Sequence, residues 1–584
     1  PADHHRTRLQ RGEHAAVGQV SHEYDALGLP CITQAEGLPP LRRQTYGSGH
    51  LLGVALGEQS LVEFTRDDLH RETERRFGAY VLNSRYTPAG RLQGAYLHDD
   101  PWHALSRRYG YDARGRLTAL LAGGERYDYT YDAAGRLVQA TAPRWQQQYR
   151  FDPAGNRLFR DGVLPSNQLS DDGEYRYRYD RFGSLVEKRR AGNDDEIHQY
   201  AWDAAQRLSR YRRTQGDRTL TAVYLYDPLG RRVGKQVLSR AANESGASQL
   251  QTFWYGWEGD RLTVTEHNGR RTHTIYHPGS FVPLLRVEGE RPPVTPSLAE
   301  KLAQEAGVTF PPAVVSALNE VEQALRADAA LPAESERWLA MTGFTREGLQ
   351  AFVEPLASSE QRIHLYHCNH VGTPLALVTP EGKVEWQAEF DPWGNLLREE
   401  NPQGLYQPLR MQGQHKDEES GLYYNRHRYY DPQQGRYISQ DPIGLAGGWN
   451  VYAYPINPVQ SVDPLGMVAM EATVTALYAD LLTPEPSDAI PWKWIGWGVV
   501  VAGATLYSLT CEKDEVQPCS PPSGTVCYFY DQVPPSKPHF PHKGSHYHLF
   551  QMSAAPYCKW NKAGTSDTAP PGSIPCPFQR KGGR

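Results

Sequence analysis

Two groups of side chains in this 584-residue chain have types and spacings that could do chemistry. The first lies at 421–467, GLYYNRHRYYDPQQGRYISQDPIGLAGGWNVYAYPINPVQSVDPLGM, where Asp431, Asp441 and Asp463 each precede a proline among Arg and Tyr. Carboxylates serve as general acids and bases once their surroundings shift their pKa values. Asp-Pro is also an ordinary turn, because Asp bonds its own backbone and Pro presets φ; Asp431 is read that way. The second group lies at 538–552, PHFPHKGSHYHLFQM. His546 and His548 alternate on a strand-like run, so both imidazoles face one way. Such a pair can bind a metal or supply the acid and base of an RNA-cleaving site. Lys543, Lys559, Lys562, Arg580, Lys581 and Arg584 make this end basic, which suits a phosphate substrate. A small disulfide-stabilised domain with incidental histidines is the alternative. His364, His367 and His370 are spaced three and three on a strand-and-turn segment, do not converge on one face, and are read as polar turn residues. No cofactor or resident metal is expected.

Before these residues can act, something must position them. Seven segments share one pattern: YTPAGRL (86–92), YDARGRL (111–117), YDAAGRL (131–137), FDPAGNRL (151–158), YDRFGSL (179–185), WDAAQRL (202–208) and YDPLGRR (226–232). From Asp112 to Asp227 the Asp positions step by 20, 20, 28, 23 and 24 residues. A period in this range means stacked repeats, and it is half the unit of a propeller blade. Each unit reads as a hairpin: YRYRYD (175–180) alternates Tyr and Arg between faces, Asp opens the turn, Gly closes it, and Arg-Leu starts the return. Residues 86–280 and 361–467 are expected to form one continuous antiparallel sheet. Between them, 295–355 turns helical, with apolar spacing at Val314, Leu318, Val321 and Leu325 and a capping box at Ser297.

Composition narrows the classes. Lys+Arg is 62 against Asp+Glu 67, a net charge of −5, which makes no global case for nucleic-acid or membrane-surface binding. Abundant Tyr (35) and Gly (53) suit short strands joined by turns. Cys31 and Cys368 are alone in the first 467 residues, whereas Cys511, Cys519, Cys527, Cys558 and Cys576 crowd the end. That split points to two histories in one chain and to disulfides in the tail under oxidising conditions. No C-x-x-C pair supports a zinc knuckle. The chain begins with Pro1 and shows no signal peptide, which reads as a fragment or a processed product.

The repeats, together with RYYDP (428–432), GRY (435–437), DPIGLAGG (441–448), NVYAY (450–454) and DPLGM (463–467), resemble the Rhs/YD-repeat proteins and their core-associated region. Segment 366–395 resembles the same core. The resemblance implies a mainly β fold. It would be a partial YD-repeat β-cocoon, a spiralling antiparallel shell, with a helical insertion and a small C-terminal α+β or irregular toxin domain. It implies four parts: a shell at 1–294, the insertion at 295–355, a sealing and self-cleaving region at 356–467, and a variable toxin at 468–584. By the same resemblance Asp441 and Asp463 form an aspartyl pair assisted by Arg428, and the scissile bond joins Met467 to Val468. The family has Leu where this chain has Met467, an apolar residue of similar volume, so cleavage should survive. Two neighbouring carboxylates share a proton: the ionised one can take a proton from water while the protonated one bonds the scissile carbonyl. The implied protein is a polymorphic toxin of interbacterial competition, delivered by a contact-dependent machine such as type VI secretion. Its implied partners are its own encapsulated tail, an immunity protein, and a secretion spike or adaptor.

The tail itself offers two readings. IPWKWIGWGVVVAGATLYSLTC (490–511) is read as apolar except Lys493, with Trp492, Trp494 and Trp497 at one end and Tyr507 at the other. Length and aromatic ends fit a membrane-inserting helix and a permeabilising toxin. The His546/His548 pair and the basic end fit a nuclease, which is the preferred reading. A structural or adhesive YD-repeat surface protein is the rival from another class.

Overall fold

The computed structural model describes residues 20–467 except 26–27, 36, 48, 160–162, 165, 193–194, 242–248, 292–295, 327–330, 332, 343 and 354–360. Of the tail it describes the backbone of 470–471, 526–531, 546–552, 560–566 and 574–575. The chain divides into two compact units, Pro1–Pro491 and Trp492–Arg584.

Every residue of the repeat motif has a bond to make. In YDAAGRL, Asp132 N–H donates to Arg136 O, Gly135 N–H to Asp132 O, and Arg136 N–H to Asp132 Oδ1. Arg136 then returns its Nε to Asp132 Oδ2 at 2.6 Å. The same guanidinium reaches the next hairpin, donating to Asp152 O at 2.8 Å and lying over Phe151. Tyr131 reaches the other way, its hydroxyl donating to Leu117 O at 2.6 Å. Tyr111 repeats this to Leu92, Tyr226 to Leu208, and Trp202 Nε1 to Leu185. The motif is therefore a device for joining hairpins, and the Leu beneath it, Leu117, Leu137 or Leu208, is fully buried. A lone hairpin is marginal, and these cross-links supply the neighbour it needs.

The result is mainly β, as predicted, but the long sheet is interrupted. Thirteen antiparallel strands run in chain order from Val20–Tyr24 to Trp145–Gln148, and fourteen more from Tyr175–Tyr179 to Leu396–Glu400. Between them, the strands among the described residues are the two-residue pair Arg150–Phe151 and Arg157–Leu158. The residue at the fourth place after the motif Asp also changes along the chain. Where Arg116, Arg136, Arg207 and Arg231 reach the next hairpin, Asn156, Ser184 and Asn395 stop short. These turns also bond the 404–467 segment. Asn156 Oδ1 accepts from Asn450 Nδ2 at 2.7 Å, Gly183 O from Tyr452 Oη at 2.8 Å, and Pro432 O from Asn395 Nδ2 at 2.8 Å.

In the strand Tyr175–Tyr179, Arg176 and Arg178 are exposed while Tyr177 is buried, as the alternation requires. Helices α1 (Leu298–Ala306), α2 (Pro312–Arg326), α3 (Ala333–Thr342) and α4 (Arg346–Gln350) form the insertion. Ser297 caps α1 in the predicted box with Glu300, and Leu318, Val321 and Leu325 lie in the helices' own core. The insertion does not break the sheet: Pro283–Glu290 pairs directly with Arg362–Cys368 across it. In the second unit, Val526–Asp531, His546–Met552, Trp560–Ser566 and Ile574–Pro575 make a four-stranded mixed sheet. The apolar run 490–511 lies outside the described residues, as do the side chains of His546 and His548. Among the described residues, no helix is long and apolar enough to cross a membrane.

Candidate functional site

The site grows from a small sheet of four short strands, His415–Lys416, Tyr423–Asn425, Arg428–Asp431 and Arg436–Tyr437. Tyr423, Tyr430 and Tyr437 of this sheet pack with Tyr454 and Met411 into one core. The tight turn between the second and third strands is pinned by Arg426. Its guanidinium bonds Asp260 at 2.6 Å and the carbonyls of Leu229 and Gly230 in the repeat sheet. Arg428 therefore starts from a fixed backbone.

Arg428 holds the two carboxylates together. Its Nη2 lies 3.0 Å from Asp441 Oδ2 and 3.3 Å from Asp463 Oδ2. Its Nη1 donates to Val451 O at 3.1 Å, its Nε donates to Gly466 O, and its guanidinium stacks 3.6 Å from the Tyr437 ring centroid. All three charged residues are buried. Asp441 is placed by its own turn: its backbone N–H donates to Val451 O, and its Oδ1 accepts from Ile443 N–H at 3.0 Å. Burial pushes the Asp441 carboxyl up, Arg428 and the Ile443 N–H pull it back, and it ends at about 6. Burial also raises Asp463, against Arg428, the Met467 N–H and the Tyr437 hydroxyl.

Asp463 grips the segment that would be cut. Its Oδ1 accepts the Met467 N–H at 2.9 Å. Its Oδ2 accepts the Tyr437 hydroxyl at 2.8 Å, and Asn425 Nδ2 donates both to that hydroxyl, at 2.8 Å, and to Asp463 O, at 2.7 Å. His427 N–H donates to Leu465 O. Beyond this loop the chain returns, and Ser461–Val462 pairs antiparallel with Met470–Glu471. Met467 thus lies between these two paired strands. Val468 itself lies outside the described residues.

Asp431 makes a turn, its Oδ1 accepting from Gln433 N–H at 3.0 Å, with Lys188 3.6 Å from its Oδ2. The three histidines differ from their reading as polar turn residues. His364 and His367 are buried in the strand Arg362–Cys368, bonded to Glu385 and to the Tyr80 hydroxyl, while His370 bonds Val459 O. Each imidazole finds a partner 21 to 287 residues away, which the local spacing does not show. Among the described residues, no three His, Cys, Asp or Glu side chains gather as a metal site. Tyr437 and Asn425 escaped the sequence reading: GRY marks the tyrosine, but nothing in its spacing shows that its hydroxyl meets Asp463.

Residues 363–400 match the family described as RHS protein, and residues 111–144 the family described as RHS Repeat. The chain is 36% identical over 521 residues to Toxin protein Tse5 of Pseudomonas aeruginosa, covering 81% of this chain and 36% of that protein. It is 32% identical over 486 residues to Double-stranded DNA deaminase toxin A of Burkholderia cenocepacia, covering 79% of this chain and 30% of that one. The chain spans about a third of the length of these curated relatives. Among solved structures it is similar to TcdB2-TccC3 without its hypervariable C-terminal region, with 19% identity and a TM-score of 0.49, covering 77% of this chain and 21% of that one.

Proposed function

We propose, from the premise that this chain belongs to the Rhs/YD-repeat family, that it is part of a polymorphic toxin that cuts itself between Met467 and Val468. The observation that carries the reading is one guanidinium, Arg428, shared by two buried carboxylates while one of them holds the Met467 N–H. Asp463, surrounded by donors, acts as the anion that takes a proton from water. Asp441, whose carboxyl titrates at about 6, acts as the acid that bonds the Met467 carbonyl oxygen. Water adds to the carbonyl carbon, the C–N bond breaks, and its nitrogen takes the proton. The products are a Met467 carboxyl group and a Val468 amine. Substrate and acid belong to one chain, so no encounter is needed, and a single turnover suffices.

The roles carry a sign. The acid form of Asp441 is present below about pH 6 and declines about tenfold per unit above it. Uncut chain recovered in urea and diluted into buffers should therefore cleave faster at pH 6 than at pH 8, by about fiftyfold. Protonation of Asp463, whose carboxyl burial raises, should lower the rate on the acid side. Timed intact-mass spectra measure it; a rate rising steadily from pH 6 to 8 would contradict Asp441 as the acid.

The freed piece, 468–584, is read as the toxin, a nuclease acting in rival bacteria, guarded in the producer by an immunity protein. Relatives named as toxins, one of them a double-stranded DNA deaminase, support the toxin reading. The histidines and basic end of the tail favour a nucleic-acid substrate over the membrane. Cytoplasmic expression of 468–584 should arrest growth and degrade nucleic acid. His546→Ala with His548→Ala should abolish this, and removing 490–511 should not. Depolarised cells with intact RNA and DNA, still killed by the double variant, would replace the nuclease with a permeabiliser.

A further inference from the structure

We infer that Gly447 is a positioning residue for the self-cleavage proposed above, on which this inference rests: its missing side chain leaves the gap in which the Asp441 carboxyl meets the Met467 carbonyl. The glycine lies in the 3-10 turn Gly444–Gly447, six residues past Asp441. A Cβ built there would stand 2.3 Å from Asp441 Oδ2 and 2.9 Å from Met467 O. The carboxylate oxygen and the carbonyl oxygen of the bond to be cut thus converge on the same bare face of the turn.

Backbone conformation does not explain the glycine. Gly444 and Gly448, its neighbours in the same turn, sit at φ +59° and +130°, where a side chain is strained, and a Cβ on either would meet nothing within 4 Å. Gly447 is outside that region, so alanine there is allowed by the backbone. What excludes it is the reacting pair. The surroundings leave Asp441 little room to retreat: Oδ1 is held by Ile443 N–H and Oδ2 by Arg428. A methyl group must therefore push the carboxylate off Arg428, off the Met467 carbonyl, or both.

The consequence differs from a loss of folding. Displacing Asp441 from Arg428 removes the cation that holds its carboxyl down, so its titration should move to higher pH. The test uses the full chain, as Gly447→Ala, Asp441→Asn and Leu445→Ala, the last an exposed side chain on the same turn. Gly447→Ala should be recovered folded and whole, with the far-ultraviolet circular dichroism and protease resistance of Asp441→Asn. Leu445→Ala should be cut as the unaltered chain is. Followed by intact mass from pH 5 to 9, the residual cleavage of Gly447→Ala should be at least about a hundredfold slower, with its midpoint raised by about one unit. If Gly447→Ala yields no folded chain, Asp441→Glu takes its place. Its carboxylate is competent, but its extra methylene must enter the same gap, so it too should stay whole. Normal cutting of Gly447→Ala or of Asp441→Glu, with Asp441→Asn intact, overturns the inference and leaves the cleavage reading standing. An unaltered chain that is never cut, with 1–584 recovered whole, overturns both.

Discussion

Asp441→Asn and Asp463→Asn are each expected to leave one continuous chain, where the unaltered protein separates under denaturing conditions into 1–467 and 468–584. The two substitutions fail for different reasons. Asparagine at 441 keeps the shape and the bond from Ile443 N–H, but its amide cannot deliver a proton to the Met467 carbonyl. Asparagine at 463 still accepts through one oxygen. It cannot serve as the base, and its NH2 would face either the Arg428 guanidinium or the Met467 N–H, both donors. Loss of a positioned acid or base costs about 10²–10⁴-fold in rate. Over the hours of a preparation that should turn complete cutting into little or none. Arg428→Met should fail as well, leaving two buried carboxyls without their shared cation. Before denaturation the two pieces of the unaltered protein should remain together, since Ser461–Val462 still pairs with Met470–Glu471 across the cut. Intact mass after denaturation, with gel filtration before it, reads both statements. Complete cutting of both Asp variants would remove these carboxylates from the chemistry.

Local physics was legible in the chain. The repeat motif announces its turn because Asp, Gly and Arg act within four residues of one another, and the Ser297 capping box needs only Glu300 three places on. The Asp441 and Asp463 pair was legible through an ordered set of short motifs, and the fold brings both to Arg428. What escaped depends on distant partners. The sheet breaks near 150, and Asn156 beside the break bonds Asn450 and Arg436, almost three hundred residues later. His367 looked like a turn residue because its partner, Tyr80, lies 287 residues upstream. Gly447 is silent in sequence, since many glycines serve turns and only the built site shows which one keeps a gap open.

The largest stability effect is expected from a cluster of this distant kind. Arg232 and Lys235 lie on the repeat strand Arg232–Ala241, and Asp417 and Glu419 follow the strand His415–Lys416 that begins the site's small sheet. All four are buried, with Arg232 and Asp417 at 0% side-chain exposure. Asp417 accepts from Arg232 Nη1 through Oδ2 and from Lys235 Nζ, at 2.9 Å, through Oδ1. Lys235 also reaches Glu419 at 2.9 Å, and Glu419 accepts the Tyr224 hydroxyl. Burial alone would raise the Asp417 carboxyl, but Arg232 and Lys235 outweigh it and hold it below its ordinary value, so it is the cluster's anion. Glu419 moves the other way, raised by burial and by Asp417. Asp417→Ala would leave two cations facing one weakened carboxyl in the dry interior. Breaking such a group costs about 3–5 kcal/mol, whereas exchanging a whole buried ion cluster for apolar residues of similar volume is near neutral. The single variant should therefore unfold at clearly lower urea, with faster proteolysis first appearing around 404–431. Cleavage at Met467 should slow with it, because the strand carrying Arg428 is built on this hairpin. Arg232→Met, Lys235→Met, Asp417→Leu and Glu419→Gln made together should recover most of the loss. A single variant as stable as the unaltered chain would show that the cluster does not tie the repeat sheet to the segment that bears the site.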